Sequence, residues 1–186
     1  MKHGPDVYQE LLQKHGTTVH ALGIPNDIVH SERLTTAADL IKGITHLRPR
    51  LSILDYGCGF ADLYPHVKWH TWYYGYDANQ TMQAEASLRY PKIARYITNP
   101  GAMNVRFDIV ACLGVLSTTH PLELPGLLSK LWRLSERYLI VSWIADTTPY
   151  QGSFHMHAFA DVIGDKHCRA VRCSHGETVV LLERRV

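Results

Sequence analysis

Apolar and polar positions alternate at helical spacing in two stretches at the start of the chain and then switch to short, nearly continuous apolar runs. Residues 5 to 15 place Val7, Tyr8, Leu11 and Leu12 on one face, and Gly16 offers a stop. A second helix starts at Asn26 or Asp27 and runs to about Lys42, with Ile28, Leu34, Leu40 and Ile41 apolar and Gly43 just past its end. From Leu51 onward, strand-like runs are predicted at Leu51 to Asp55, Trp72 to Tyr76, Arg95 to Ile97, Phe107 to Leu113 and Tyr138 to Trp143. Helices fit between them at about 60–67, 79–89 and 122–135, and another near 154–164 follows Pro149. Arg169 to Cys173 and Thr178 to Leu182, separated across His175-Gly176, form an antiparallel hairpin. The pattern predicts an α/β, Rossmann-like, doubly wound and mostly parallel seven-stranded sheet closed by that hairpin and preceded by two helices.

Composition narrows the setting. At 186 residues the chain fits one domain, 1–186, with residues 1–45 as a helical cap and 50–186 as the core. The formal charge of +2 is too mild to suggest a nucleic-acid or acidic-membrane partner, and the densest basic cluster, Glu183-Arg184-Arg185, reads as a solvated strand end. The N-terminus lacks the apolar core of a signal peptide, and no apolar run reaches the ~18 residues a span requires, so a cytoplasmic protein is expected. Cys58, Cys112, Cys168 and Cys173 have no C-x-x-C spacing and read as reduced and structural. Among twelve histidines, His155 with His157 and His66 with His70 come nearest to ligand spacing, but neither pair has an obvious third ligand, so no metal is expected.

The chemistry concentrates at Leu51-Ser52-Ile53-Leu54-Asp55-Tyr56-Gly57-Cys58-Gly59-Phe60-Ala61-Asp62, an apolar strand ending in an acid and a glycine turn. Gly57 and Gly59 let the backbone turn sharply and a ligand approach the main chain. The dinucleotide fingerprint G-x-G-x-x-G fails here, because Asp62 holds the third glycine's place and Asp55 would repel a pyrophosphate. A nucleoside cofactor bearing positive charge suits these acids better. Asp77 ends the second strand, where a carboxylate accepts from a ribose diol or caps the next helix; Asn79 stands at a similar cap position. The aromatic residues Trp69, Trp72, Tyr73, Tyr74 and Tyr76 read as core and edge packing.

Asp55 to Ala61, then Gly75-Tyr76-Asp77, then Phe107-Asp108-Ile109-Val110 resemble the successive motifs of class I S-adenosylmethionine-dependent methyltransferases, over about residues 50 to 184. The reversed terminal hairpin matches that family too and disfavours an NAD-dependent oxidoreductase. The resemblance implies S-adenosyl-L-methionine as cofactor, with Asp55, Gly57 and Gly59 in its loop and Asp77 on the ribose. It further implies Ala78, Asn99 and Ala102 at the adenine. Two departures stand out. Ala61 takes the place of a close-set third glycine, and Asn99 serves where an Asp often accepts from the adenine amine.

The segment from Leu113 to His120 falls where the family's methyl group meets its acceptor, and lacks the Asn-Pro-Pro-Tyr type of sequence of amino-methylating DNA enzymes. His120 is a general base or simply a loop residue before Pro121. Arg33 holds the cofactor carboxylate if its helix folds over the glycine loop; otherwise it is a surface residue. Tyr8, Lys14, His15, Tyr150, His155 and His157 are candidates for the acceptor pocket. The expected function is methyl transfer to a small molecule, with a cofactor-binding module lacking turnover as the alternative; the oligomeric state is not legible.

Overall fold

The computed structural model describes residues 5–16, 18, 27–46, 48, 50–93, 95–102, 104–144, 157–174 and 177–184. Two helices, α1 (Pro5–His15) and α2 (Asp27–Thr45), precede β1 (Leu51–Tyr56). There follow α3 (Tyr64–Val67), β2 (Thr71–Tyr76), α4 (Gln80–Arg89), β3 (Arg95–Tyr96) and β4 (Phe107–Cys112). The chain continues through α5 (Leu124–Leu134), β5 (Ser135–Ile144), α6 (Phe159–Ile163), β6 (His167–Ser174) and β7 (Glu177–Glu183). The strands form one seven-stranded sheet in the order β3-β2-β1-β4-β5-β7-β6. β1 to β5 pair in parallel, and β7 runs antiparallel to both β5 and β6.

Strands buried on both faces explain the unbroken apolar runs. Ile53, Ile109 and Ile140 point to one side, where α2 lays down Leu34, Ala37, Ala38, Ile41 and Ile44. Leu54, Val110 and Leu139 point to the other, against Leu124, Leu128 and Leu131 of α5 at i, i+4 and i+7 and Val162 of α6. Within the 1–45 segment expected as a cap, α2 is thus a layer of the sheet's own core. On α1, Leu12 packs against Phe60 and Met82. The Val7 and Tyr8 side chains, Asn26, the 154–156 start of the expected sixth helix and the hairpin turn at His175-Gly176 lie outside the described residues.

Four expectations need correction. α2 does not stop before Gly43 but continues to Thr45, because Ile44 and Thr45 extend its buried face and Gly43 faces open space. The helix expected at 60–67 forms only from Tyr64, because Ala61 has φ 59°, a left-handed backbone that interrupts helical propagation. Arg184 is not simply solvated: its guanidinium donates to the Trp132 carbonyl at 2.7 Å. Tyr73 packs in the core as expected, but Trp69 and Trp72 are 81% and 54% exposed at the amino end of β2. Cys58, Cys112 and Cys168 are free thiols. Among the described residues no cluster of metal-ligating side chains occurs and no helix is long and apolar enough to cross a membrane.

Candidate active site

The sheet order reverses between β1 and β4. The chain moves outward from β1 through β2 to β3, then returns to place β4 on the other side of β1. Loops leaving the carboxyl ends of such neighbouring strands diverge to opposite faces and leave a crevice. Here the walls are the glycine loop after β1 and the segment 113–119 after β4.

The glycine loop is sewn to the neighbouring strand. The Gly57 and Cys58 amides both donate to the Tyr76 carbonyl, at 2.7 and 2.9 Å. Gly57 and Gly59 have φ 79° and 51°, values that suit glycine. A Cβ on Gly57 would overlap the Val115 side chain, so the loop after β4 also requires glycine at this position. Ala61, fully buried, adopts a similar left-handed backbone without being glycine, a strain on the order of 1–2 kcal/mol.

Asp77 joins the two parts of this wall. Its Oδ2 accepts from the Gly59 amide and its Oδ1 from the Asn79 amide, both at 2.8 Å. Burial raises its pKa, and the two amide donors partly offset that rise. Asn79 caps α4, its Oδ1 accepting from the Thr81 and Met82 amides, and Ala78 between them is exposed. The cap role considered for Asp77 is therefore filled by Asn79. Each Asp77 oxygen keeps a second lone pair for a hydroxyl donor.

Asp55 lies beneath the loop, only 4% exposed, and accepts from the Tyr73 hydroxyl. Burial pushes its carboxyl up to about 7 against the pull of that hydrogen bond, with the nearby Asp77 and Asp62 raising it further. Its side chain is thus engaged with β2 directly ahead of the glycine loop. Burial, followed by Asp55 and Asp77, also holds the Cys58 thiol well above its ordinary range, which leaves it a poor nucleophile. Burial works to raise Asp62 as well, but hydrogen bonding and charge from His30, together with Arg89, outweigh it and hold that carboxyl low. His30 Nε2 and Arg89 lie 3.1 and 3.2 Å from its two oxygens, tying α2 and α4 to the loop.

α2 also brings Arg33 over the opposite wall. Arg33 Nε donates to Glu177 Oε2 at 2.6 Å, Ser142 Oγ donates to Glu177 Oε1 at 2.8 Å, and the Gly114 amide donates to Ser142 Oγ at 2.8 Å. Gly114 has φ 78°, and a Cβ there would collide with the Arg33 guanidinium. This network joins α2, β5 and β7 to the end of β4. Glu177 is not foreseeable as its partner, since the pair is separated by 144 positions.

The remaining candidates disperse. Leu113, half-buried, packs against the α2-side core where β4 ends. Asn99 accepts from the Gly101 amide at 3.1 Å in a short turn that reaches Ala102, whose side chain lies outside the described residues. His120 Nδ1 accepts from the Leu122 amide at 3.2 Å, a loop-capping arrangement that puts the hydrogen of a neutral ring on Nε2. His157 is buried, with Nε2 2.8 Å from the Leu116 carbonyl, so it fixes the loop after β4 rather than opening into it. Its own carbonyl accepts from Trp143, a link that sequence could not show. Lys14 is exposed and His15 half-buried, while Tyr150 and His155 lie outside the described residues.

Comparison with solved structures decides the architecture. Magnesium protoporphyrin IX methyltransferase from Synechocystis PCC 6803, with bound S-adenosylhomocysteine, superposes with a TM-score of 0.75 at 20% identity, covering 97% of this chain and 94% of that one. This is the class I S-adenosylmethionine-dependent methyltransferase fold. The N-methyltransferase NodS from Bradyrhizobium japonicum WM9 shares that fold (TM-score 0.67, 12% identity, 86% of this chain and 98% of that one). So does the [4+2]-cyclase SpnF (TM-score 0.66, 11% identity, 81% and 80%). No family model matches the sequence, and no curated protein matches it.

Proposed function

We propose that this chain transfers a methyl group from S-adenosyl-L-methionine to a nucleophilic atom of a small-molecule acceptor. The observation that carries the reading is Asp77, held by the Gly59 and Asn79 amides at the tip of β2, beside the glycine loop and at the point where the sheet order reverses. The residues fit the cofactor's charge. Asp77, held by amide donors rather than by a cation, lies on the β1–β2 side with buried Asp55 near it, which suits a cation and disfavours a pyrophosphate. Asp62, by contrast, is already paired with His30 and Arg89. The fold likeness to an enzyme crystallised with S-adenosylhomocysteine supports the same assignment.

In this reading Asp77 accepts from the ribose hydroxyls, and Ala78, Asn99 and Ala102 border the adenine. Arg33, oriented by Glu177, offers its outer nitrogens to the cofactor carboxylate, and Leu113 walls the methyl position. When bound, the cofactor supplies a methyl already activated by its positive sulfur: the acceptor's lone pair forms the new bond as carbon–sulfur cleavage returns its electron pair to sulfur. The chain's contribution is then chiefly positioning. His120 is a base for the acceptor proton only if its bond to Leu122 opens; otherwise that proton passes to water.

Calorimetric titration of the full chain with S-adenosylmethionine, S-adenosylhomocysteine and NAD tests the cofactor. Adenosyl-cofactor binding is expected, weakened by about 1–3 kcal/mol in Asp77→Ala; NAD binding without it would defeat the reading. Because the fold also serves a cyclase, transfer of labelled methyl onto cell-extract fractions decides between a transferase and a binding module without turnover.

A further inference from the structure

The net charge of +2 conceals a strong separation of charge along the sheet axis. Segments 42–52, 64–73 and 90–96 contain no Asp or Glu, yet they carry Lys42, Arg48, Arg50, Lys68, Lys92 and Arg95, together with His46, His66 and His70. The rest of the chain holds more acids than Lys and Arg. Parallel pairing brings these three segments together, since they lead into β1, β2 and β3. Leu51 is in register with Thr71 and Tyr74 with Arg95, and the Arg50 amide donates to the His70 carbonyl at 3.1 Å. Apart from Lys42, which meets Asp39 at 3.4 Å, none of these six cations has a carboxylate partner among the described residues. All of them are exposed, as are the three histidines.

The two outward-facing tryptophans, Trp69 and Trp72, project from this same end, with Lys68 Nζ 5.0 Å from the Trp69 ring centroid. An indole with one apolar body and one N–H donor, rimmed by lysines and arginines, is the pairing that settles at a bilayer's headgroup boundary. We infer that the amino end of β1–β3 is a docking surface for an anionic lipid bilayer. Lipid is favoured over single-stranded nucleic acid, which needs a cationic groove with aromatic residues along it. The neighbouring groove at the starts of β4 and β5, about 720 Å³, sets Asp108 and Glu136 among Arg106, Lys130 and Arg133, and neither indole lines it. β1 is six residues long, so docking here leaves the Asp77 crevice about 20 Å away at the opposite end, facing water. The inference does not depend on methyl transfer.

Vesicle flotation of the full chain tests it, using phosphatidylcholine alone and phosphatidylcholine with one third phosphatidylserine. Binding is expected only to the anionic vesicles, falling with added salt, and brominated lipid is expected to quench tryptophan emission. R48E/R50E/K68E should weaken binding roughly a hundred-fold, and W69A/W72A should abolish the quenching. These side chains are on the surface, and unchanged circular dichroism would show that both variants fold. The surface assignment is overturned by failure to float with anionic vesicles or by flotation unchanged in both variants. A single-stranded RNA oligonucleotide that binds through these residues while vesicles do not would assign the surface to nucleic acid instead.

Discussion

Glu177→Ala is expected to destabilise the protein by about 3–5 kcal/mol, far more than an ordinary surface ion-pair loss. The side chains of Arg33 and Glu177 are only 13% and 5% exposed. Removing the carboxylate therefore leaves a buried guanidinium without its counter-charge and takes away the acceptor for Ser142 Oγ. At about 2–4 °C per kcal/mol for a chain of this size, the midpoint should fall by roughly 6–20 °C. Glu177→Gln keeps an oxygen for Ser142 and loses only the charge, so a smaller loss of about 1.5–3 kcal/mol is expected. The double variant R33M/E177L, which removes both charges, should recover most of the loss in Glu177→Ala. Urea unfolding followed by circular dichroism, with the denaturant slope checked for constancy, measures all three. A loss below about 1 kcal/mol in Glu177→Ala, or a double variant no more stable than it, would refute the buried network as the anchor of Arg33.

Asp55 gives a pH signature. Its folded pKa, raised by burial to about 7, lies above the ordinary aspartate value near 3.8, so the folded state binds the extra proton and stability falls as pH rises between those values. The effect is on the order of 4 kcal/mol at most and is complete above pH 7. Asp55→Asn should flatten that slope in unfolding measured at pH 5 and pH 8; an unchanged slope would place its source elsewhere. Asn79→Ala removes the acceptor for two α4 amides and should cost about 0.5–2 kcal/mol, read as a lowered melting midpoint. Gly57→Val collides with Val115 and demands a left-handed backbone, so loss of thermal stability should accompany loss of adenosyl-cofactor binding. A fully stable variant that simply fails to bind would leave only the ligand-space explanation.

Much of the fold was written locally. The strands β1, β4 and β5 announce themselves because both faces are buried, β2 by its aromatic run, and the Asn79 cap and the hairpin follow from short-range chemistry. Asp77 was legible as a candidate because it ends a strand ahead of a helix cap, and the structure sets it against the glycine loop. The misses were long-range or conformational. Nothing in the letters Phe60-Ala61-Asp62 reveals that Ala61 takes positive φ and delays α3 to Tyr64. An aromatic-rich strand predicts burial, but Trp69 and Trp72 fall at the strand's amino end, beyond the helices that cover its middle. Net charge averaged away the segregation of Lys and Arg that parallel pairing creates. Arg33 and Glu177 are brought together only by the arrangement of α2 across the sheet.

The Arg33–Glu177 contact also sets an order of events. Arg33 lies in the first helix of the sheet's core and its counter-charge in the last strand, so the crevice wall cannot be completed until β7 has been synthesised and inserted between β5 and β6. Closing a loop of that length is among the late and slow steps of folding. A nascent chain that has released only the segment through β5 therefore has its glycine loop and Asp77 but an unanchored Arg33. In the proposed reading, the grip of Arg33 on the cofactor's carboxylate therefore arrives only with β7, the strand that joins β5 to β6.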